Sequence, residues 1–363
     1  MRIAINTGGG DAPGLNAVIR AVTLSALRLG WEVVGIRRGY EGLLSDMPDG
    51  LVKLTRDSVR GITHLGGTIL GTTNRGNPLK WSEKRPDGTT VEIDRSDELI
   101  AAFDRHGIDV LVAVGGDGSL TIANGLAEKG LKVIGVPKTI DNDLASTAVT
   151  FGFHTAVQTA TDAIGRLHST AEAHRRTMVV ELMGRHAGWI ALFAGLGGTA
   201  DVILIPEVPY DIEKVCEAVD ARYDGDRGFC IVVVAEGAQP IGGEATYRNG
   251  AGAGAGLMAR LGGIADVLAE QISERTGRET RSLVLGHLQR GGEPTAYDKT
   301  LALRFGAAAV QLIEEGHFGC MVSLDPPEIR AVPLAEAVAH IKTVPADSDV
   351  MLTARRLGVA FGD

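Results

Sequence analysis

The 363-residue chain has only three cysteines, Cys216, Cys230 and Cys320, and they follow no paired or metal-like spacing. That scarcity argues against a disulfide framework and against a zinc site, and it suits a reducing compartment. No apolar run approaches the roughly 20 residues needed to span a bilayer, and Met1-Arg2 leads straight into a strand-like stretch with no signal-like region. The expectation is a soluble, cytoplasmic protein with no membrane partner. Positive charge is also short. A net charge of −9 leaves no basic face for nucleic acid, so any anionic ligand must be held by locally clustered arginines. Two nucleotide-binding strings are missing as well. No GxxxxGK[ST] occurs anywhere, and the nearest dinucleotide fingerprint fails because Pro13 stands where its third glycine belongs.

What the chain has in excess is glycine. Its 49 glycines are about twice the usual share of roughly 7%, and they fall at the ends of apolar runs, where tight turns and close ligand approach need them. The most informative stretch is Ile108 to Asp143. An apolar run, Val110 to Val114, ends in Gly115-Gly116-Asp117-Gly118-Ser119. A second run, Val133 to Val136, ends in Pro137-Lys138-Thr139-Ile140-Asp141-Asn142-Asp143. In a doubly wound α/β sheet, ligands bind beyond the carboxyl ends of the parallel strands, so both polar tips would face one crevice. One tip lets a phosphate chain approach the backbone, and the other carries two carboxylates, a lysine and a threonine. The pattern reads as a phosphoryl-transfer site.

Along the chain, Ile3 to Asn6 reads as a buried strand broken by Thr7-Gly8-Gly9-Gly10-Asp11-Ala12-Pro13-Gly14, after which helical periodicity runs to Leu29. Strand, glycine loop and helix suggest a phosphate cradle built from backbone N–H groups, although such a turn is about as often a plain connection. Trp31 to Ile36 is a second strand, Gly66 to Arg75 another glycine-bounded loop, and Trp81 to Asp94 a surface hairpin turning at Pro86-Asp87-Gly88. Strand and helix keep alternating past Asp143, so the second half is also α/β. RNGAGAGAG, from Arg248 on, reads as a surface loop.

Seven strings now carry a resemblance: TGGGDAPGLN, GGTILGTTNRG, VGGDGS, PKTIDND, VVELMGR, the AEG at Ala235 to Gly237, and LGHLQRGG. In order and spacing, across nearly the whole chain, they resemble the motif series of the 6-phosphofructokinases. Lys138, the Trp81 to Asp94 insertion and the GWIAL after His186 look most like the actinobacterial, mixed-donor branch. The resemblance implies two Rossmann-like α/β domains with a ligand cleft between them. Residues 1–150 plus about 288–338 would take the donor, and about 151–287 plus 339–363 the sugar phosphate. It implies phosphoryl transfer from Mg-ATP, or alternatively pyrophosphate, to the 1-hydroxyl of fructose 6-phosphate.

Residue by residue, the resemblance makes Asp141 the general base, a role a carboxylate suits because the hydroxyl needs a base only as transfer proceeds. Asp117 matches the magnesium-associated aspartate and Asp143 would assist it, since Mg²⁺ prefers few carboxylates plus phosphate oxygens. Thr139 and Arg185 match residues that hold the migrating phosphoryl, with Lys138 reaching the phosphate that is transferred. Gly9, Gly10, Gly116, Gly118 and Ser119 match donor-loop positions. Arg176, Arg281, His287 and Arg290 match ligands of the 6-phosphate and sugar, for which forked guanidinium groups are natural binders. Met183, Gly184 and Glu236 match hydroxyl contacts. In the family the arginines matching Arg176 and Arg281 reach across from a neighbouring subunit, which implies a homo-oligomer, dimer or tetramer, with a shared active site.

The sequence departs from the family in three places. The donor-loop arginine would fall at Asn74, with Arg75 one place later. At the bacterial effector site Arg20 and Glu207 keep their places, but Leu24 stands where an arginine is expected, and Gly225-Asp226-Arg227-Gly228 replaces a lysine-rich turn. The donor signals oppose each other: pyrophosphate users carry lysine at the position of Lys138, as here, but aspartate at the position of Gly118. Steric and charge exclusion by a carboxylate outweighs an added lysine, so ATP is expected. A catalytically silent phosphate-sensing subunit and a nicotinamide dehydrogenase are the other readings; intact Asp141, Asp117 and Arg185 oppose the first, and the failed fingerprint opposes the second.

Overall fold

The computed structural model describes residues 1–224, 227–244, 246 and 262–363, so the glycine-alanine stretch from Arg248 lies outside the described residues. In chain order the strands are β1 (Arg2–Thr7), β2 (Glu32–Ile36), β3 (Leu51–Leu54), β4 (Trp81–Lys84), β5 (Thr90–Ile93), β6 (Val110–Gly115), β7 (Val133–Thr139) and β8 (Phe151–Gly152), then β9 (Thr177–Leu182), β10 (Val202–Leu204), β11 (Cys230–Ala235), β12 (Thr280–Val284), β13 (Cys320–Asp325) and β14 (Glu328–Pro333). The helices are α1 (Leu15–Arg28), α2 (Glu41–Leu44), α3 (Ser96–Arg105), α4 (Asp117–Glu128), α5 (Phe153–His174), α6 (Trp189–Gly197), α7 (Ile212–Tyr223), α8 (Ile264–Thr276), α9 (Ala296–Glu314), α10 (Leu334–Ala337) and α11 (Asp349–Arg356). No helix among the described residues is long and apolar enough to cross a membrane.

Two compact units divide the chain. Unit 1 takes residues 1–140, 144–155 and 290–341; unit 2 takes 141–143, 156–289 and 342–363. In unit 1 the sheet order is β14-β13-β7-β6-β1-β2-β3, with β8 paired to β7. The inner strands are parallel, while β3 and β14 run antiparallel at the two edges. Strands buried on both faces read as continuous apolar runs, which is why β1, β6 and β7 are plain in the sequence. From β1 the chain moves to β2 on one side, and from β6 to β7 on the other. The order therefore reverses between β1 and β6, and a ligand crevice is expected beyond the carboxyl ends at such a switch point. The loops Gly8–Gly14 and Gly116 leave from there. One core of this unit packs α1 and α9 on the sheet, with Ile5, Val18, Val112, Ile134 and Phe305 all buried.

β7 runs further than its apolar residues suggest. Pro137, Lys138 and Thr139 belong to the strand, because β8 pairs with Lys138 and Thr139. Lys138 is only 3% exposed. The polar tip therefore begins at Ile140, not at Pro137. The Trp81–Ile93 hairpin is an antiparallel pair, and the Arg95 guanidinium lies 4.9 Å from the centre of the Trp81 ring.

Unit 2 has an all-parallel sheet of order β10-β11-β9-β12. Its core joins Val179, Val202, Val232 and Val234 to Val215, Leu268 and Ile272 of the helices. Glu181, buried within β9 at 3% exposure, accepts hydrogen bonds from the Gly263 and Ala265 amides at 2.9 and 3.1 Å. A buried carboxylate without donors would cost several kcal/mol, so the amides at the start of α8 account for it.

Candidate active site

In unit 1 the glycine-rich strings pack on one another. The Gly8 amide donates to the Val114 carbonyl at 2.9 Å and the Gly9 amide to Thr73 at 3.0 Å, while the Thr72 hydroxyl donates to the Gly9 carbonyl at 2.6 Å. Asn16 clamps the next string from the side, donating to the Leu65 carbonyl at 3.0 Å and accepting from the Ile69 amide at 2.9 Å. The amides of Gly8 and Gly9 thus hold the loop itself and are not offered to a ligand. What the glycines provide is proximity: a Cβ on Gly8 would stand 2.8 Å from Ser119 Oγ, and one on Gly115 only 2.2 Å from Ser119 Cβ.

Lys138 Nζ donates to the Gly10 carbonyl and lies 3.6 Å from where a Gly9 Cβ would be. An ammonium group is therefore set against the glycine loop. Arg290 comes to the same loop, donating from Nη1 to the Asp11 carbonyl at 3.0 Å. α4 starts just past β6, with Gly116 as its extended N-cap and no side-chain cap. Its first amides lack intrahelical acceptors and carry the positive end of the helix dipole. Ser119 and Asp117 lie in that first turn. At Gly118 an added Cβ meets nothing within 4 Å, so this position is open. Asn74 and Arg75 are exposed beside the Thr73 turn.

In unit 2 the carboxyl ends of neighbouring strands gather Met183, Gly184, Arg185, Glu236 and His287. Gly184 has φ +139, and a Cβ there would strike the Ala187 carbonyl at 2.8 Å; only glycine suits both demands. The Gly237 amide donates to the Gly184 carbonyl at 3.1 Å and the Glu236 amide to Leu182 at 2.9 Å, locking the loop after β11 against the loop after β9. Gln289, fully buried, accepts from the Met183 amide at 3.3 Å and donates to the Gly286 carbonyl at 3.0 Å. Nothing in the sequence marks Gln289 except its place inside LGHLQRGG.

Arg176 and Arg281 converge on one carboxylate. Glu279 Oε1 lies 3.0 Å from Arg176 Nη2 and 2.8 Å from Arg281 Nη2. The bond from Arg176, with lesser help from the Arg281 charge, holds the Glu279 carboxyl below its usual range. Arg176 keeps a buried Nε without a hydrogen-bond partner. His287 is exposed.

The loop Asp141-Asn142-Asp143 belongs to unit 2. Asn142 is buried and left-handed at φ +52. Lys342 Nζ donates to its Oδ1 at 3.0 Å, and the Lys342 amide donates to the Asp143 carbonyl at 2.8 Å. Burial drives the Lys342 ammonium down to about 8, against the pull of the Asp143 charge. Its sequence surroundings, HIKTVP, carry no periodicity and gave no signal.

Residues 2–313 match the Phosphofructokinase family. The chain belongs to the phosphofructokinase family. It is 52% identical over 362 residues to an ATP-dependent 6-phosphofructokinase of Chloroflexus aurantiacus, covering all of this chain and 98% of that one. It is also 51% identical over 350 residues to a pyrophosphate–fructose 6-phosphate 1-phosphotransferase of Amycolatopsis methanolica, covering 96% and 97%. Among solved structures it is similar to Pichia pastoris phosphofructokinase in the T-state, with a TM-score of 0.78 and 32% identity over 93% of this chain. It spans 35% of that much longer chain. A pyrophosphate-dependent phosphofructokinase from Marinobacter aquaeolei shares the fold with a TM-score of 0.80 at 24% identity, over 99% of this chain and 91% of that one. The mixed α/β phosphofructokinase fold is thus established.

Phosphofructokinase chemistry brings a divalent cation into question. Among the described residues no group of three or more His, Cys, Asp or Glu could hold a metal ion. Mg²⁺ rarely uses such a cage, binding instead through one or two carboxylates and substrate phosphates. Asp143 leaves a buried Oδ1 without a hydrogen-bond partner, which suits a hard cation. The donor set fits Mg²⁺ held mainly by substrate.

Proposed function

We propose that this chain transfers the terminal phosphoryl group of Mg-ATP to the 1-hydroxyl of fructose 6-phosphate, giving fructose 1,6-bisphosphate and ADP. Asp141 takes the hydroxyl proton as that oxygen attacks phosphorus, and the bond to the bridging oxygen of ADP breaks. Thr139 donates to the migrating phosphoryl, while Lys138 and Arg185 neutralise charge developing on its oxygens. Asp117 and Asp143 would hold Mg²⁺, which supplies further charge neutralisation on the donor phosphates. Unit 1 takes the donor at Gly9, Gly10, Gly116, Gly118 and Ser119. Unit 2 takes the sugar phosphate through His287, with Met183, Gly184 and Glu236 at its hydroxyls and the matching Arg176 and Arg281 supplied by a neighbouring subunit. Arg290, placed on the glycine loop of unit 1, serves the phosphates from that side. We place the enzyme in the cytoplasm, in keeping with its three free, buried cysteines, and as a dimer or tetramer in which Arg176 and Arg281 serve a neighbour's substrate.

The observation that carries the choice of donor is the open space at Gly118. A carboxylate there would sit against a nucleotide's α-phosphate, and its absence leaves room for one. Pyrophosphate is the second reading, favoured by Lys138 on the glycine loop and by the Amycolatopsis relative. Coupled assays with ATP and with pyrophosphate separate the two, and faster turnover with pyrophosphate at matched saturation overturns the first. Gly118→Asp, which the free space admits without a clash, is expected to depress ATP use far more than pyrophosphate use. Asp141→Asn is expected to lower kcat by about 10²–10⁴-fold, the usual worth of a positioned base; near-wild-type turnover would remove Asp141 from that role.

A further inference from the structure

A lysine far along the chain props the loop that carries both Asp141 and Asp143. That loop turns through Asn142, whose left-handed φ of +52 is a conformation asparagine adopts more readily than other side-chain-bearing residues but still at a cost that its surroundings offset. Lys342 contributes to that offset twice, by its ammonium on Asn142 Oδ1 at 3.0 Å and by its own amide on the Asp143 carbonyl at 2.8 Å.

Lys342 is itself braced. The Trp189 indole N–H donates to the Lys342 carbonyl at 2.9 Å, and the ammonium lies 5.8 Å from the centre of that ring, within cation–π range. Two residues on, the Val344 amide donates to Glu207 Oε1 at 2.8 Å. The same carboxylate receives the Gly188 amide at 3.0 and 3.1 Å. Glu207 and α6 thus hold the segment that holds the loop. Burial of that carboxylate raises its pKa, opposed by these two amides.

We propose that Lys342 is a positioning residue for phosphoryl transfer, fixing the Asp141–Asp143 loop so that its carboxylates stand ready to act. The proposal rests on Asp141 being the base. Displacing a reacting group by about 1 Å can cost about a hundredfold in rate, and no direct substrate contact by Lys342 is required.

The test is a kinetic split with rescue. Lys342→Met keeps an aliphatic stem beside Trp189 but removes the ammonium. Its kcat is expected to fall by about 10- to 100-fold, with half-saturation by fructose 6-phosphate and ATP moving less than about threefold. Lys342→Arg, which restores the charge, is expected to recover most of the loss. Trp189→Phe, which keeps an aromatic ring but loses the indole N–H and one of its two rings, gives a milder fall in kcat and serves if Lys342→Met does not fold. In an Asn142→Gly background, where glycine tolerates the left-handed turn, Lys342→Met should cost clearly less than in the native chain. Unchanged kcat in the folded Lys342→Met and Trp189→Phe variants overturns the proposal. So does a fall in kcat that tracks only a lowered melting temperature and is not rescued by arginine. Asp141→Asn, assayed alongside, keeps the two ideas apart: if it retains turnover the base assignment fails, whereas if it is dead while Lys342→Met is fully active, only the role of Lys342 fails.

Discussion

In unit 1 the groups gathered at the strand ends are main chain and short side chains locked by contact: Gly8 against Ser119, Gly115 against Ser119, Lys138 on Gly10. In unit 2 they are long side chains joined through a carboxylate, Arg176 and Arg281 on Glu279. The first arrangement has its shape before any ligand arrives. The second has its charge in place, with Glu279 standing where an anion can take over. Under the function proposed above, rigidity in one half and exchangeable ion pairs in the other would serve a polyphosphate chain and a single terminal phosphate respectively.

The sharpest break in this comparison is Arg176→Ala. Arg176 and Glu279 are both partly exposed, so the loss is that of one charge-assisted contact to the substrate, and kcat/KM for fructose 6-phosphate is expected to fall about 10- to 100-fold while half-saturation by donor stays put. Steady-state kinetics with each substrate varied decides it. A comparable rise in donor half-saturation would blur the division of labour.

Next comes a glycine pair on the rigid side. Gly115→Ala forces a Cβ to within 2.2 Å of Ser119 Cβ, overpacking that costs about 1–3 kcal/mol. Gly118→Ala meets open space inside a helix, where alanine is favoured by about 0.5–1 kcal/mol. Thermal melts of the two variants should move in opposite directions, and equal shifts would contradict the difference in free space at the two positions.

A smaller effect tests how unit 1 anchors the start of α5. Asp298, fully buried, accepts from the Thr155 amide and hydroxyl at 2.7 and 2.6 Å, yet burial raises its pKa above 3.8. A raised folded-state pKa means stability is lost as pH climbs from 3.8 through the folded value. Asp298→Asn removes that loss, so its melting temperature should rise relative to that of the native chain as pH climbs through this interval. Parallel profiles for the two proteins would count against the assignment.

The smallest expected effect concerns regulation. Arg20 donates to the Val59 carbonyl at 2.7 Å, Glu207 is engaged by Gly188 and Val344, and Leu24 carries no charge. Allosteric coupling is typically 5–150-fold; here ADP or phosphoenolpyruvate should shift half-saturation by fructose 6-phosphate less than about twofold. A larger shift at millimolar effector would reveal a working pocket.

Legibility in the sequence follows burial. β1, β6, β7, β9 and β11 announce themselves because both faces are covered, and the Trp81–Ile93 hairpin because Pro86-Asp87-Gly88 can only turn. β3 and β14 stay hidden: as edges they expose one side, and residues such as Lys53, Glu328 and Arg330 break the apolar run. The end of β7 is misjudged from sequence because Lys138 and Thr139, though polar, are buried against β8 and the glycine loop. Glycine strings mark the closely packed strand-end loops of unit 1, since backbone proximity leaves a compositional trace. Lys342, Glu279 and Gln289 leave none, because each has among its partners one distant in sequence, Asn142, Arg176 and Met183 respectively, that only folding supplies.

The open space at Gly118 has an evolutionary reading. Glycine and aspartate codons differ by a single base, and a side chain at this position displaces no neighbour. With Gly118 in the donor-selecting role proposed above, a lineage could exchange one phosphoryl donor for another in one mutational step, without passing through a poorly folded intermediate. Relatives named for ATP and for pyrophosphate stand at 52% and 51% identity to this chain, so overall similarity records descent here and says little about which donor is used.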